Sequence, residues 1–251
     1  MAATTPESVG PGSGHEPAGV GAQAGETTGR PLPHADGDDF RTMHQRLNRF
    51  RLPYKFAIDE VTTKIAILRE EFEETYDHSP IEHVRSRLKS PPSILAKATR
   101  RGAAGSPESI AATVQDIAGV RVVCPFVSDV YWIKDMLTRQ SDVTVLEVED
   151  YIGSPKPNGY RSLHLTIQIP VFLSDRTELV PVELQLRTIA MDFWASVEHE
   201  IYYKYDADVP ATLLEELTDA ARTAADLDDR MTRLRAEVRG LQGPRGESAG
   251  Q

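Results

Sequence analysis

Apolar positions recur along the chain with two different rhythms. Ile58, Val61, Ile65, Leu68 and Phe72 are spaced by three and four, one stripe of a helix whose start signal is Leu52-Pro53. Ser90-Pro91 predicts an N-cap and a first helical position for a helix through Arg101, and Pro107 starts a short one ending near Gln115. Val120 to Cys124 reads as a buried strand and Val143 to Val148 as a second; between them a helix capped by Ser128 carries Val130, Ile133 and Leu137 on one face. Two alternating runs follow. Leu163, Leu165, Ile167 and Ile169 form one and Val180, Val182, Leu184 and Leu186 the other, joined by the turn-like Ser174-Asp175-Arg176-Thr177, so they form an antiparallel hairpin. Thr188 then caps a helix carrying Ile189, Phe193, Val197 and Ile201, and Pro210 begins a last long helix to about Arg239. Strands interleaved with helices, hairpin included, predict an α/β or α+β domain around a mixed sheet.

Composition narrows the class. Residues 1–38 and 243–251 hold almost no large apolar side chains, so both are expected to be disordered tails around a foldable 39–242. The 28 Lys+Arg against 38 Asp+Glu leave a net charge of −10, which argues against non-specific binding to duplex nucleic acid. One cysteine, Cys124, excludes an internal disulfide framework and every multi-cysteine zinc pattern. No apolar run approaches the ~18–20 residues of a membrane span, and the N-terminus lacks a signal-peptide pattern. A soluble, cytoplasmic protein is expected, with no membrane partner.

The hairpin places the candidate chemistry. If Val180, Val182, Leu184 and Leu186 face the core, then Glu183, Gln185 and Arg187 face the other way, and His164, Thr166 and Gln168 join them. Alone, this could equally be a half-solvated sheet face. A basic island precedes it: Arg85, Arg87, Lys89, Lys97, Arg100 and Arg101 stand against only Glu82. Lys97 lies four residues after Ser93 on the same helix face, and that helix start offers free backbone N–H groups, a combination suited to a polyphosphate or simply to a solvated charged face. Asp116 stands at the start of the first strand, where an Asp commonly caps a turn. Paired with Glu183, it would also supply the two carboxylates typical of a protein-held Mg²⁺ on nucleotide phosphates. The loop Ser154 to His164 has two prolines, Asn158-Gly159 and then Tyr160, which serves either as a stacking platform for a base or as a plug closing the sheet. His199 has no zinc-pattern partner and reads as structural.

These residues resemble a known family. Pro80 to Ser90, Asp116 to Arg121, Lys156 to His164, and Val182 to Thr188 running on into Ala190 to Ala195 resemble, in order, the motifs of the synthetase domain of RelA/SpoT-type proteins, and among them the stand-alone small alarmone synthetases. The resemblance spans about Phe40 to Arg239. It implies a nucleotidyltransferase-like mixed sheet of about five strands flanked by helices. It also implies transfer of the β,γ-pyrophosphoryl group of ATP to the 3′-hydroxyl of GDP or GTP. By motif position, Asp116 and Glu183 resemble the Mg²⁺ carboxylates, with Glu183 also placed to activate the 3′-hydroxyl. Arg87 and Arg121 resemble the pair that sandwiches adenine, and Lys89, Ser93 and Lys97 the ATP phosphate contacts. Tyr160 resembles the guanine-stacking tyrosine, with Lys156, Asn158, His164 and Gln185 around the acceptor.

His34-Ala35-Asp36, the one candidate for a hydrolase His-Asp pair, falls in the expected tail, so a synthetase without hydrolase domain is expected. A nucleotidyl-transferring enzyme of the same fold would bring a paired Asp-x-Asp, which the Asp116 strand lacks. A non-catalytic alarmone- or RNA-binding module would be expected to lose Asp116 or Glu183, and both are present. Product alarmone or single-stranded RNA remains open as an allosteric partner. In the last helix, Leu217, Ala221, Ala224, Leu227, Met231, Leu234 and Val238 form a stripe. Thirty residues at ~1.5 Å each reach ~45 Å, longer than the domain body covers, so a second chain is expected over part of it. The resemblance implies a homotetramer.

Overall fold

The computed structural model describes residues 37–76, 78–103, 106–204 and 209–242. The expected tails lie outside the described residues, except that Gly37 and Asp38 already belong to the first helix, α1 (Gly37–Thr75). Residues 41–251 form the compact unit that carries the core; of the second unit, residues 1–40, only the first turn of α1 is described. Leu52-Pro53 does not start α1, because Pro53 lies inside it. An interior proline removes one N–H and costs about 3 kcal/mol. Burial of Tyr54, Ala57, Ile58, Val61, Ile65 and Phe72 from the same helix offsets that cost.

The remaining elements are β1 (His83–Leu88), α2 (Pro91–Arg100), α3 (Pro107–Thr113), β2 (Ala118–Cys124), α4 (Val127–Thr138), β3 (Thr144–Asp150), β4 (Leu163–Phe172), β5 (Thr177–Thr188), α5 (Ile189–Lys204) and α6 (Ala211–Gln242). They build a mixed α+β domain on one five-stranded sheet of order β1-β2-β5-β4-β3. β2 and β5 are parallel, and every other neighbouring pair is antiparallel. The expected hairpin is β4–β5, with Leu165 opposite Leu184 and Ile167 opposite Val182. Its apolar set is buried together with Val120, Val122 and Cys124 of β2, Ile133 and Leu137 of α4, and the α1 stripe.

Four local expectations are corrected. β1 was read only as a basic island; it is a strand, at the sheet edge, with two apolar residues, Val84 and Leu88. β3 is the opposite edge and is exposed along its length rather than buried. Helix α4 begins at Val127, with Phe126 in the cap position and no side-chain cap, while the Ser128 hydroxyl instead accepts from Arg235 at 3.3 Å. Thr188 does cap α5, accepting the Met191 N–H at 3.1 Å. Yet the buried face of α5 is Met191, Trp194 and Ala195, whereas Ile189, Phe193 and Val197 are exposed. Met191 joins the main core; Trp194 and Ala195 form a second small cluster with Leu217 and Ala221 of α6. There Trp194 Nε1 donates to the Leu217 carbonyl at 2.7 Å.

Candidate active site

Strand register assembles the polar face of the sheet into two rows. Arg85, Arg121, Gln185, His164 and Glu149 stand side by side across all five strands, and Arg87, Gly119, Glu183, Thr166 and Glu147 form the next row. Arg87 and Arg121 are therefore diagonal neighbours, with Gly119 opening the space between Arg87 and Glu183. A Cβ on Gly119 would stand 4.0 Å from Glu183 Oε2. Over this face lies a cleft of about 640 Å³ whose walls include Arg87, Asp116, Arg121, Tyr160, Glu183 and Gln185.

One side of the cleft is cationic. Lys89 follows β1 and is almost fully buried, and Lys97 projects from α2. Their ammonium groups hold the same Asp116 oxygen, at 2.5 and 2.7 Å. Burial works to raise the Asp116 pKa, but the two lysines outweigh it and hold the carboxyl below its usual value. The other Asp116 oxygen is buried with no hydrogen-bond partner. Glu183 shifts the opposite way: burial first, then the Asp116 charge, raises its pKa, so a proton is held there more readily than on an ordinary glutamate. Ser93 stays in the first turn of α2, its hydroxyl 2.8 Å from that of Ser90 and its backbone N–H on the Ser90 cap.

The other side carries Tyr160, presented by the Lys156–Tyr160 loop. The Gly159 N–H donates to the Lys156 carbonyl at 2.8 Å, and the Lys156 N–H to the Tyr160 carbonyl at 3.1 Å. Gly159 turns the chain at φ +87°, left-handed backbone that glycine adopts without penalty. Asn158 is spent on shaping this loop, since Oδ1 accepts the Tyr160 N–H at 3.1 Å and Nδ2 donates to Glu198 of α5 at 3.2 Å. Lys156 lies over the Tyr151 and Tyr160 rings, 4.2 and 5.2 Å from their centroids. Tyr160 lines the cleft and also packs against the Trp194 cluster, as the plug reading expects.

The Tyr160 hydroxyl receives Arg187 Nη2 at 2.5 Å and lies 2.7 Å from His164 Nε2. A guanidinium can only donate, so the hydroxyl accepts from Arg187; which of the hydroxyl and His164 Nε2 donates to the other depends on the imidazole tautomer, which also decides whether a proton sits on Nδ1. That atom is 4.0 Å from both Glu183 Oε1 and Glu149 Oε2. Burial, and then the Arg187 charge, lowers the His164 pKa to about 4, consistent with a neutral ring.

Sequence reasoning placed Arg187 on this face without a role, and missed Asp192. Both are buried. One Asp192 oxygen accepts Arg121 at 3.0 Å and Arg187 at 3.2 Å, while Gln185 Oε1 accepts Arg121 Nε at 3.2 Å and Arg187 at 3.3 Å. Gln185 in turn donates to Glu183 at 3.2 Å. Such a web depends on α5 folding back beside β2 and β5, a long-range contact with no local signature; spacing from Arg187 to Asp192 was the one available hint. His199, read as structural, lies in the cleft wall. Among the described residues, no three His, Cys, Asp or Glu side chains come together as a metal cage.

Comparison with known proteins places the chain in a family. A family model described as "Region found in RelA / SpoT proteins" matches residues 86–208. The chain is 47% identical over 201 residues to GTP pyrophosphokinase YwaC of Bacillus subtilis, covering 80% of this chain and 96% of that one. Small alarmone synthetase 1 of Bacillus subtilis, solved bound to its product pppGpp, superposes with a TM-score of 0.72 at 41% identity, covering 77% of this chain and 98% of that one. The same synthetase solved bound to AMPCPP gives a TM-score of 0.68 at 38% identity, covering 78% and 99%. The chain belongs to the RelA/SpoT family, in its small alarmone synthetase branch.

Proposed function

We propose that this cleft transfers the β,γ-pyrophosphoryl group of ATP to the 3′-hydroxyl of GDP or GTP. The observation that carries the reading is the junction of two unlike halves on one sheet face: Asp116 with its two lysines beside Glu183, facing the Tyr160 loop. Arg87 and Arg121, diagonal neighbours with the side-chain-free Gly119 next to Arg87 in its row, suit a flat adenine ring held between guanidinium planes. Lys89, Lys97 and the α2 start with Ser93 suit the ATP phosphates, which would draw the lysines off Asp116. Tyr160 suits guanine stacking, and Lys156, His164 and Gln185 surround the acceptor. Asn158 supports that site by shaping its loop.

In the reaction the acceptor O3′ bonds to the β-phosphorus, the bridging oxygen–β-phosphorus bond breaks, and AMP leaves. Glu183 accepts the 3′-hydroxyl proton, a task its raised pKa favours. Asp116 and Glu183 would hold Mg²⁺, and the partnerless buried Asp116 oxygen fits that demand. When bound, the ion neutralises charge on the transferring phosphates. Arg187 and Asp192 keep Tyr160 and Arg121 in place.

The described residues contain no helix long and apolar enough to cross a membrane, and Cys124 is free and buried. Both features support a cytoplasmic setting. The outward Leu227, Met231, Leu234 and Val238 of α6, and Phe193 of α5, support assembly with further copies, as a homotetramer.

The test is incubation of the purified protein with ATP labelled at the β or γ position, Mg²⁺ and GDP, GTP or GMP in turn, followed by separation of products. Label appearing on the guanine nucleotide with AMP released is the expected result. Transfer of AMP with release of pyrophosphate would identify a nucleotidyltransferase instead. Binding of both nucleotides without turnover would identify a non-catalytic module.

A further inference from the structure

Helix α6 is apolar outward and polar inward at its middle. Asp228 points inward and is 5% exposed, one of the few buried carboxylates among the described residues. Its Oδ2 accepts the Thr188 hydroxyl at 2.8 Å, and that hydroxyl also caps α5 by accepting the Met191 N–H. Burial raises the Asp228 pKa; the Thr188 hydrogen bond and the Arg161 charge work against the rise. Thr188 and Arg161 lie in different segments, β5 and the loop before β4. Each is the chain neighbour of a cleft residue, since Arg187 precedes Thr188 and Tyr160 precedes Arg161. Arg187 and Tyr160 are themselves joined by the 2.5 Å hydrogen bond. Seven residues earlier on α6, Ala221 packs directly on Gly159.

We propose that Asp228 is a positioning residue for the acceptor half of the cleft: by holding the Thr188 hydroxyl, it fixes from behind the end of β5 that presents Arg187 to the Tyr160 hydroxyl. The inference rests on the acceptor assignment made above. Asp228 never meets a substrate. It acts through the relative placement of two side chains whose mutual hydrogen bond sets the tilt of the Tyr160 ring. Among the described residues, Arg87 of β1, Lys89 just after it and Lys97 of α2 make no hydrogen bond or ion pair with α6, so this part of the ATP half is not held this way; only Arg121, which shares Asp192 with Arg187, touches the same web.

Four variants test it: Asp228→Ala, Asp228→Asn, Thr188→Val, and Asp228→Ala with Thr188→Val. Turnover is measured against ATP and against GDP, and GDP affinity is read separately by calorimetry. Asp228→Ala should raise the GDP KM and Kd about 10-fold, the effect of one buried hydrogen bond with its charged acceptor. The ATP KM should stay within about 2-fold. Asp228→Asn keeps an acceptor for Thr188 and should recover GDP binding to within about 3-fold of wild type. The double variant should be no worse than Asp228→Ala, because both changes cut the same link. Equal losses for ATP and GDP, unchanged GDP affinity in a destabilised Asp228→Ala, or additive effects in the double variant would overturn the proposal. A wild type that binds GDP without transferring pyrophosphate would overturn the assigned reaction, while the ratio of GDP affinities would still judge Asp228.

Discussion

A methyl group on Gly159 would have nowhere to go. Its Cβ would stand 2.4 Å from the Ala221 Cβ of α6, with the Thr218 carbonyl at 3.8 Å, where carbons normally meet at about 3.5–4.0 Å. Loop and helix must part by about 1 Å or more, and overpacking of that kind costs about 1–3 kcal/mol. Left-handed backbone at φ +87° adds about 1–2 kcal/mol for any L side chain, and the stiffer unfolded chain returns about 0.4–1 kcal/mol. Gly159→Ala should therefore lose about 2–4 kcal/mol in urea unfolding followed by circular dichroism. Ala221→Gly alone should lose about 1 kcal/mol, the usual helix-interior penalty. Combined, the two should show a favourable coupling of about 1–3 kcal/mol, since the second change removes the clash and leaves only the backbone strain. The same pair should separate in kinetics, with Gly159→Ala raising the GDP KM and the ATP KM nearly constant. A Gly159→Ala protein within 0.5 kcal/mol of wild type, or one that Ala221→Gly does not help, would refute the contact and the loop's dependence on α6.

Glu183→Gln keeps the side-chain shape and removes the basic oxygen, so kcat should fall about 10²–10⁴-fold with the fold intact; near-normal synthesis would remove Glu183 from the mechanism. Asp116→Asn should lower Mg²⁺-dependent activity at least as far, and should also destabilise the protein by leaving buried Lys89 without its counter-charge, read as a lower unfolding midpoint. Tyr160→Ala should weaken GDP binding about 5–150-fold with ATP affinity nearly unchanged; equal losses for both would indicate a folding defect. Asp228 binds its proton more tightly folded than unfolded, so wild type should gain stability over Asp228→Asn as pH falls through the raised folded pKa. The gain should level off below about 3.9, the unfolded value; unfolding curves at several pH values that stay parallel would contradict this. Leu227→Asp with Leu234→Asp should reduce the mass seen by light scattering while leaving the sheet folded, and an unchanged mass would exclude the α6 seam.

The hairpin was legible because strand alternation is strict: with four aliphatic residues committed to the core on each strand, a one-residue slip of either strand would turn its whole set out to solvent. Glu183, Gln185 and His164 followed from that alone. β1 was hidden because an edge strand needs few apolar residues, and its two are diluted among Arg85, Ser86 and Arg87. Helix α5 misled for a different reason. It is apolar on more than one side, so the Ile189-Phe193-Val197 spacing is a true helical period on a face that the other described residues leave open. Pro53 was read as a boundary because local rules weigh the lost N–H, whereas the stripe on the same helix supplies more than that loss. The roles of Arg121 with Asp192 and of Asp228 with Thr188 arise from contacts between distant segments, and beyond the Arg187–Asp192 spacing no local pattern encodes them.

The exposed strand β3 has a consequence for solubility. An open sheet edge offers unpaired N–H and C=O groups as a template for a foreign strand, and β3 adds outward Val145, Leu146 and Val148. Two features blunt it. The register shifts between Val145 and Glu147, which kinks the ladder, and Glu147, Glu149 and Asp150 place three carboxylates along the same short strand. Any arriving strand would have to follow a bent edge and bury or neutralise those charges. Glu147 and Glu149 also end the two polar rows that cross the sheet, so the side chains guarding this margin against fibril-like stacking are the outermost members of the surface on which the cleft is built.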